Sequence, residues 1–132
     1  MKKLILISLS LLLLSGCLPD QSSDPTNFTD DWVGQWTCNE TEGDFAPQVY
    51  SVEIAPGPEM NTVILRGLYN QGNNFEIRAT VGKVSIDIPT QQEDGFMVSG
   101  GGYINDNLDR IELTFTINDG SGSDNVKAYM VR

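Results

Sequence analysis

The chain has 132 residues, 18 acidic side chains against 8 basic ones, and a formal net charge of −10. That balance argues against nucleic acid and against electrostatic docking on anionic lipid, both of which need basic patches. Histidine is absent, so zinc sites and Ser-His-Asp or Cys-His catalysis lack their usual residues, and no metal or cofactor is expected.

The chain opens with Lys2 and Lys3, an unbroken apolar and small run from Leu4 to Leu14, and the tetrapeptide Leu14-Ser15-Gly16-Cys17. A positive start, a short apolar stretch and small residues before a cut are the parts of an export signal. The run is far short of the roughly 20 residues a membrane helix needs. From the residues alone, an ordinary secretory signal or an uncleaved anchor also fits. The segment closely resembles the signal of bacterial lipoproteins, which ends in a lipobox. The resemblance implies cleavage between Gly16 and Cys17, a diacylglyceryl group on the Cys17 thiol, and acylation, with palmitate for instance, of the new N-terminus. Two or more acyl chains hold a protein stably on a membrane, at about 0.8 kcal/mol per buried methylene. Leu18 follows the cysteine. In lipoproteins an aspartate there commonly marks inner-membrane retention, so its absence implies the outer membrane of a Gram-negative cell envelope, with periplasmic and surface faces both open.

Loss of residues 1–16 removes Lys2 and Lys3 and takes the formal charge to −12. The expected organisation is a signal peptide over 1–16, the lipidated Cys17 with a flexible acidic tether over 17–31, and one β-barrel domain over 32–132. The tether carries Pro19, Asp20, Ser22, Ser23, Asp24, Pro25, Asp30 and Asp31, a composition that cannot bury a core. With Cys17 lipidated, Cys38 has no partner in the chain. A disulfide framework is excluded, and Cys38 reads as a buried apolar residue rather than a reactive thiol.

From Trp32 onward the apolar period is two, not 3.6. Trp32, Trp36 and Cys38 fall on one strand face. Tyr50, Val52 and Ile54 alternate with polar neighbours, as do Phe75, Ile77, Ala79 and Val81, then Val84, Ile86 and Ile88, then Ile111, Leu113, Phe115 and Ile117. Val63–Tyr69 is less regular, because Ile64 and Leu68 fall on the nominal outside. Turn residues punctuate the runs at Asn39–Ala46, Pro56–Pro58, Asn70–Asn74, Gly82, Pro89–Gly95, Asn105–Asn107 and Asp119–Asp124. The pattern predicts an all-β domain of about eight short antiparallel strands and no convincing helix. Short sequential connections favour an up-and-down meander closing into a barrel, which removes exposed edges. A Greek-key β-sandwich is the alternative. The predicted inward set also includes Leu65, Phe96 and Val98. So many large residues in a short barrel predict a filled core with at most a shallow pocket at one mouth.

At the first predicted strand, Gly34-Gln35-Trp36 matches the Gly-x-Trp that opens lipocalin and related calycin barrels. The resemblance implies that Trp36 plugs one end of the barrel and that a basic residue late in the last strand, Arg132, packs over it. The chain departs from true lipocalins in having no helix after the last strand, no disulfide pair and fewer residues.

No acid–base site is legible. Asp119–Asp124 and Asn105–Asp109 read as hairpin loops rather than calcium sites, since the EF-hand order and its closing glutamate are missing. Gly100-Gly101-Gly102 reads as a strand bend or bulge. Asp30-Asp31 and Glu93-Asp94 read as solvated charge. Tyr103 and Tyr129 fall on outward faces, open to a sugar or a protein partner. Catalytic residues are therefore expected to be absent and the protein non-enzymatic. Two functions remain: a barrel that takes a small apolar or amphipathic ligand at its mouth, and a protein-interaction module such as an inhibitor or accessory subunit of an envelope complex.

Overall fold

Alternation of apolar and polar residues carries through eight antiparallel strands in the computed structural model, which describes residues 26–132. The signal segment, Cys17 and the tether up to Pro25 lie outside the described residues. The strands are β1 (Gly34–Glu42), β2 (Gln48–Pro56), β3 (Thr62–Arg66), β4 (Glu76–Val81), β5 (Ser85–Glu93), β6 (Phe96–Ile104), β7 (Arg110–Asn118) and β8 (Ser123–Val131). Each pairs with its neighbours in sequence, and β8 returns to β1, so the sheet is an up-and-down closed barrel. The sandwich alternative is thereby set aside. Among the described residues the strands share one hydrophobic core.

The inward positions fill the cylinder. Trp36, Val52, Ile54, Leu65, Phe75, Ile77, Ile88, Ile111, Leu113, Phe115 and Met130 are all nearly inaccessible to solvent. Val84 departs from the predicted inward set. It sits in the β4–β5 turn, where the Gly82 amide donates to Ser85 O, and its side chain is 53% exposed. Phe96 is only partly buried, at the rim. Leu68, predicted outside, is fully buried, because the chain leaves β3 at Gly67 (φ 92°) and a 3-10 turn, Leu68–Asn70, folds inward.

Two predicted breaks are strand instead. β1 continues to Glu42, so the inward face reads Trp36, Cys38, Glu40. β5 continues through Pro89 by way of a bulge between Ile88 and Gln91. There the Gln91 side chain replaces a strand: Arg78 N donates to its Oε1 (2.9 Å), and its Nε2 donates to Arg78 O (2.7 Å) and Pro89 O (3.0 Å). The glycine triplet, read as a bend or bulge, lies in unbroken register with β7. A Cβ on Gly100 or Gly102 would overlap the β7 backbone, so these glycines permit a close strand crossing.

One end of the barrel is sealed by a four-residue helical turn, α1 (Thr29–Trp32), where no helix was expected. It is short enough to escape a periodicity of 3.6. Phe28 N donates to Asn61 Oδ1 (2.7 Å), and Asn61 Nδ2 donates to Thr26 O (3.0 Å). Trp32, expected on the first strand, sits on this turn instead and donates its indole N–H to Gly82 O (3.0 Å).

Candidate binding mouth

The two ends of the cylinder have opposite characters. At the sealed end Trp36 donates its indole N–H to Trp32 O (2.9 Å), so the two tryptophans lock together. The Arg132 guanidinium lies 4.2 Å from the Trp36 ring centroid and donates to Leu108 O, Val33 O and Asp31 O at 2.8, 3.0 and 2.8 Å. Gly34 makes room: its φ is 145°, and a Cβ there would stand 3.4 Å from Arg132 Nη1. Gly34, Trp36 and Arg132, singled out in the sequence, thus meet in one cluster although 98 residues separate the first from the last. A shallower hollow of about 230 Å³, lined by Asp31, Lys83, Val84, Asn105, Asp106 and Leu108, lies beside them.

The other end is open. Its loops are β1–β2, β3–β4, β5–β6 and β7–β8, and between them lies a cavity of about 320 Å³. That is at the small end of the roughly 300–1,000 Å³ typical of ligand sites. Its apolar wall is Phe45, Tyr69, Phe96 and Ile117, and its rim carries Asp44, Asp119 and Asp124. Tyr69 forms the floor. Its ring meets Phe45, Phe96 and Phe115 edge-on at 5.4, 6.4 and 6.2 Å between centroids. Its backbone stands at φ 59°, a conformation uncommon for an aromatic residue. Bonds at both ends hold it there: Tyr69 N donates to the Tyr50 hydroxyl (2.9 Å), and Tyr69 Oη donates to Asp124 Oδ2 (2.7 Å).

Two buried acids here were missed by sequence reasoning, Asp124 in the cavity lining and Glu40 on β1. Asp124 is 6% and Glu40 2% exposed. Asp124 accepts Asp44 N at 3.0 Å on both oxygens, and Glu40 Oε2 accepts Gln48 Nε2 at 2.5 Å. Burial raises the Glu40 carboxyl above its ordinary value, hydrogen bonds from Gln48 and Tyr50 pull it back, and Asp124 pushes it up again. Burial likewise raises Tyr69, with the Asp124 charge adding to it. The signal available was the alternation itself: Trp36-Cys38-Glu40 on β1, and Asp124-Val126-Ala128-Met130 on β8.

The folded domain therefore holds a proton on Glu40 more tightly than the unfolded chain does. The stability tied to this group is full below the unfolded carboxyl value of about 4.3 and is lost as pH rises through the raised folded value. Glu40→Gln keeps an acceptor for Gln48 and carries no charge. Its midpoint of thermal unfolding is expected several degrees above the parent at pH 7, with the gap closing toward pH 4. A gap independent of pH would mean that Glu40 is not ionised against a cost.

Cys38 is inaccessible, and burial pushes its thiol up to about 12. At pH 8 the native domain is expected to leave a thiol reagent unreacted for far longer than the denatured chain takes to label fully. Comparable labelling rates would contradict the closed wall.

The remaining candidates stand apart from the mouth or on its rim. The Asp119 carboxylate accepts Ser121 N (2.9 Å) and Ser121 Oγ (2.6 Å), which lower its pKa and shape the β7–β8 turn. Asn105–Asp109 is a turn at the sealed end, closed by Asn105 Nδ2 donating to Asp109 Oδ1 (2.6 Å). Asp31 lies at the sealed end with Asp30 beside it, and Glu93-Asp94 forms the β5–β6 turn. Tyr103 is 60% exposed, whereas Tyr129 lies under the Arg110 guanidinium, 4.1 Å from its ring centroid. Among the described residues no group of three or more His, Cys, Asp or Glu is placed to hold a metal ion, and no helix is long and apolar enough to cross a membrane.

Fold and site together define a class: a closed eight-stranded meander barrel with a filled interior, one sealed end and one small acidic, aromatic mouth. Comparison with protein-family models, with curated proteins and with solved structures finds no match.

Proposed function

We propose that the chain is a lipid-anchored, non-enzymatic binding barrel of lipocalin-like type. In this reading Cys17 is lipidated and holds the domain at the outer membrane of a Gram-negative envelope, and the mouth takes a small apolar or amphipathic ligand. The lipocalin-like part is supported by the Gly34–Trp36–Arg132 cluster at the sealed end. The binding part is carried by the 320 Å³ cavity over Tyr69. The packed core leaves no room deeper inside, so any ligand is held at the mouth and is small.

Native mass spectrometry of the lipid-free chain from residue 18 onward tests the binding. A retained small molecule, or uptake of an added short-chain alcohol that Phe45→Ala abolishes, is the expected result. A clean mass with no uptake overturns it. For the anchor, palmitate labelling is expected to vanish in Cys17→Ala, and labelling that persists overturns it.

An outer row favours a second reading, a protein-interaction module. The register places Tyr103, Glu112, Tyr129, Asn39 and Val49 side by side around the barrel wall, with Tyr103 and Val49 60% and 63% exposed. A Tyr103→Ser, Val49→Ser double variant that loses a co-purifying envelope protein, in a chain whose mouth takes up no ligand, would select it.

A further inference from the structure

The charge of the mouth narrows its occupant, on the reading of the mouth as a binding site. The Tyr69 ring meets Phe45 and Phe96 edge-on, at interplanar angles of 68° and 70°, and all three line the cavity. Asp124 lines the same cavity beside Tyr69, and among the described residues its hydrogen bonds come from neutral donors, the Tyr69 hydroxyl and the Asp44 amide. Among the described residues no lysine or arginine forms an ion pair with Asp124, Glu40, Asp44 or Asp119, and no basic side chain lines the cavity. Buried charges in proteins are ordinarily paired or neutralised. Here an aspartate that is 6% exposed lines a hollow with aromatic walls and, among the described residues, no basic side chain.

The possible occupants differ in how they meet that field. An anion would be repelled by three carboxylates. A neutral ligand would gain only apolar contact. A bare metal ion would find too few ligands, since no group of three is placed to hold one. An organic cation gains on both sides, from the carboxylate and from the negative faces of the rings. The cavity limits it to a compact head with a few carbons attached.

We propose that the mouth is a cage for a small amphipathic organic cation, an amine or quaternary ammonium, with its charged head beside Asp124 and Asp44 and its apolar body against Phe45, Phe96 and Ile117. The protein's strongly negative net charge draws such ligands toward it and repels anions.

Isothermal titration of the lipid-free chain from residue 18 onward tests this with three probes sharing one tail: hexyltrimethylammonium, hexanol and hexyl sulfate. The cation is expected to bind at least about tenfold more tightly than the alcohol, with no detectable binding of the sulfate and with affinity falling as salt is raised. Asp124→Asn retains an acceptor for Tyr69 and is expected to lower affinity for the cation about tenfold while leaving the alcohol unchanged. Asp44→Asn, at an exposed rim position, is expected to act the same way with a smaller loss and serves if the buried variant fails to fold. Equal affinities for cation and alcohol overturn the charge assignment and leave the mouth as a site. Cation binding untouched by both substitutions overturns it too, because the attraction would then belong to the whole surface. Absence of binding by all three probes overturns both the charge assignment and the binding reading beneath it.

Discussion

Gly102→Ala is expected to abolish the folded barrel. The added Cβ would overlap the carbonyl oxygen of Glu112 and stand about 3 Å from Glu112 C and Leu113 Cα. Those are backbone atoms of β7 in the middle of a continuous ladder, so nothing flexible is there to give way. Clashes of this kind fall in the tail of substitution effects above about 4 kcal/mol, against a typical total of about 5–15 kcal/mol. Near-UV circular dichroism and thermal unfolding would show an unfolded or molten chain. The neighbouring Gly101→Ala is the control. Its Cβ points outward and meets only Ile86 O at 3.0 Å, so a loss on the order of 1 kcal/mol is expected. If the two variants melt alike, the crossing of β6 over β7 is not what demands glycine.

Trp36→Ala is the second large effect. The ring is 1% exposed, its N–H is bonded to Trp32 O, and its face carries Arg132. Emptying such a site costs about 3–5 kcal/mol. Two further losses follow: Trp32 O loses its donor, and the guanidinium loses the ring it lies on. In a domain of about 100 residues the expected fall in melting temperature is roughly 20 °C. Trp36→Phe keeps most of the volume and removes the donor, so about 1–2 kcal/mol is expected. Combining each with Arg132→Ala gives a double-mutant cycle. A non-zero coupling energy in the Trp36→Ala, Arg132→Ala cycle identifies the stacked pair. Strict additivity would mean that Arg132 acts only through the carbonyls of Asp31, Val33 and Leu108.

How far the sequence was legible follows from which interactions are local. Strand alternation is local, and β4 and β7, with Phe75, Ile77, Ile111, Leu113, Phe115 and Ile117 inside, stand where the period places them. Closure of the meander follows from short connections. The errors come where a residue's partner is distant in sequence. Pro89 reads as a stop because it lacks an amide, yet the Gln91 side chain supplies the missing bonds to Arg78, 13 residues away. Val84 keeps the alternation of Ile86 and Ile88, but a hairpin turn lifts it off the wall. Glu40 and Asp124 fall in segments that read as turns, Asn39–Ala46 and Asp119–Asp124. Their inward placement depends on Gln48, Tyr50 and Tyr69, which sit on other strands and in a loop. The mouth is assembled from four separate loops, and no contiguous motif announces such a site.

The substitution of Gln91 for a strand gives the barrel wall an uneven seam. β4 and β5 share only two residue pairs, Thr80 with Asp87 and Val81 with Ile86, whereas β7 and β8 share nine. Beyond Asp87 one amide side chain bridges β4 and β5 where elsewhere a ladder continues. The backbone proton on Arg78, held by that side chain, should therefore exchange with solvent sooner than those of Phe115 or Val126, through an opening smaller than global unfolding. What closes that seam is a single neutral side chain, one whose grip neither salt nor pH near neutrality would loosen.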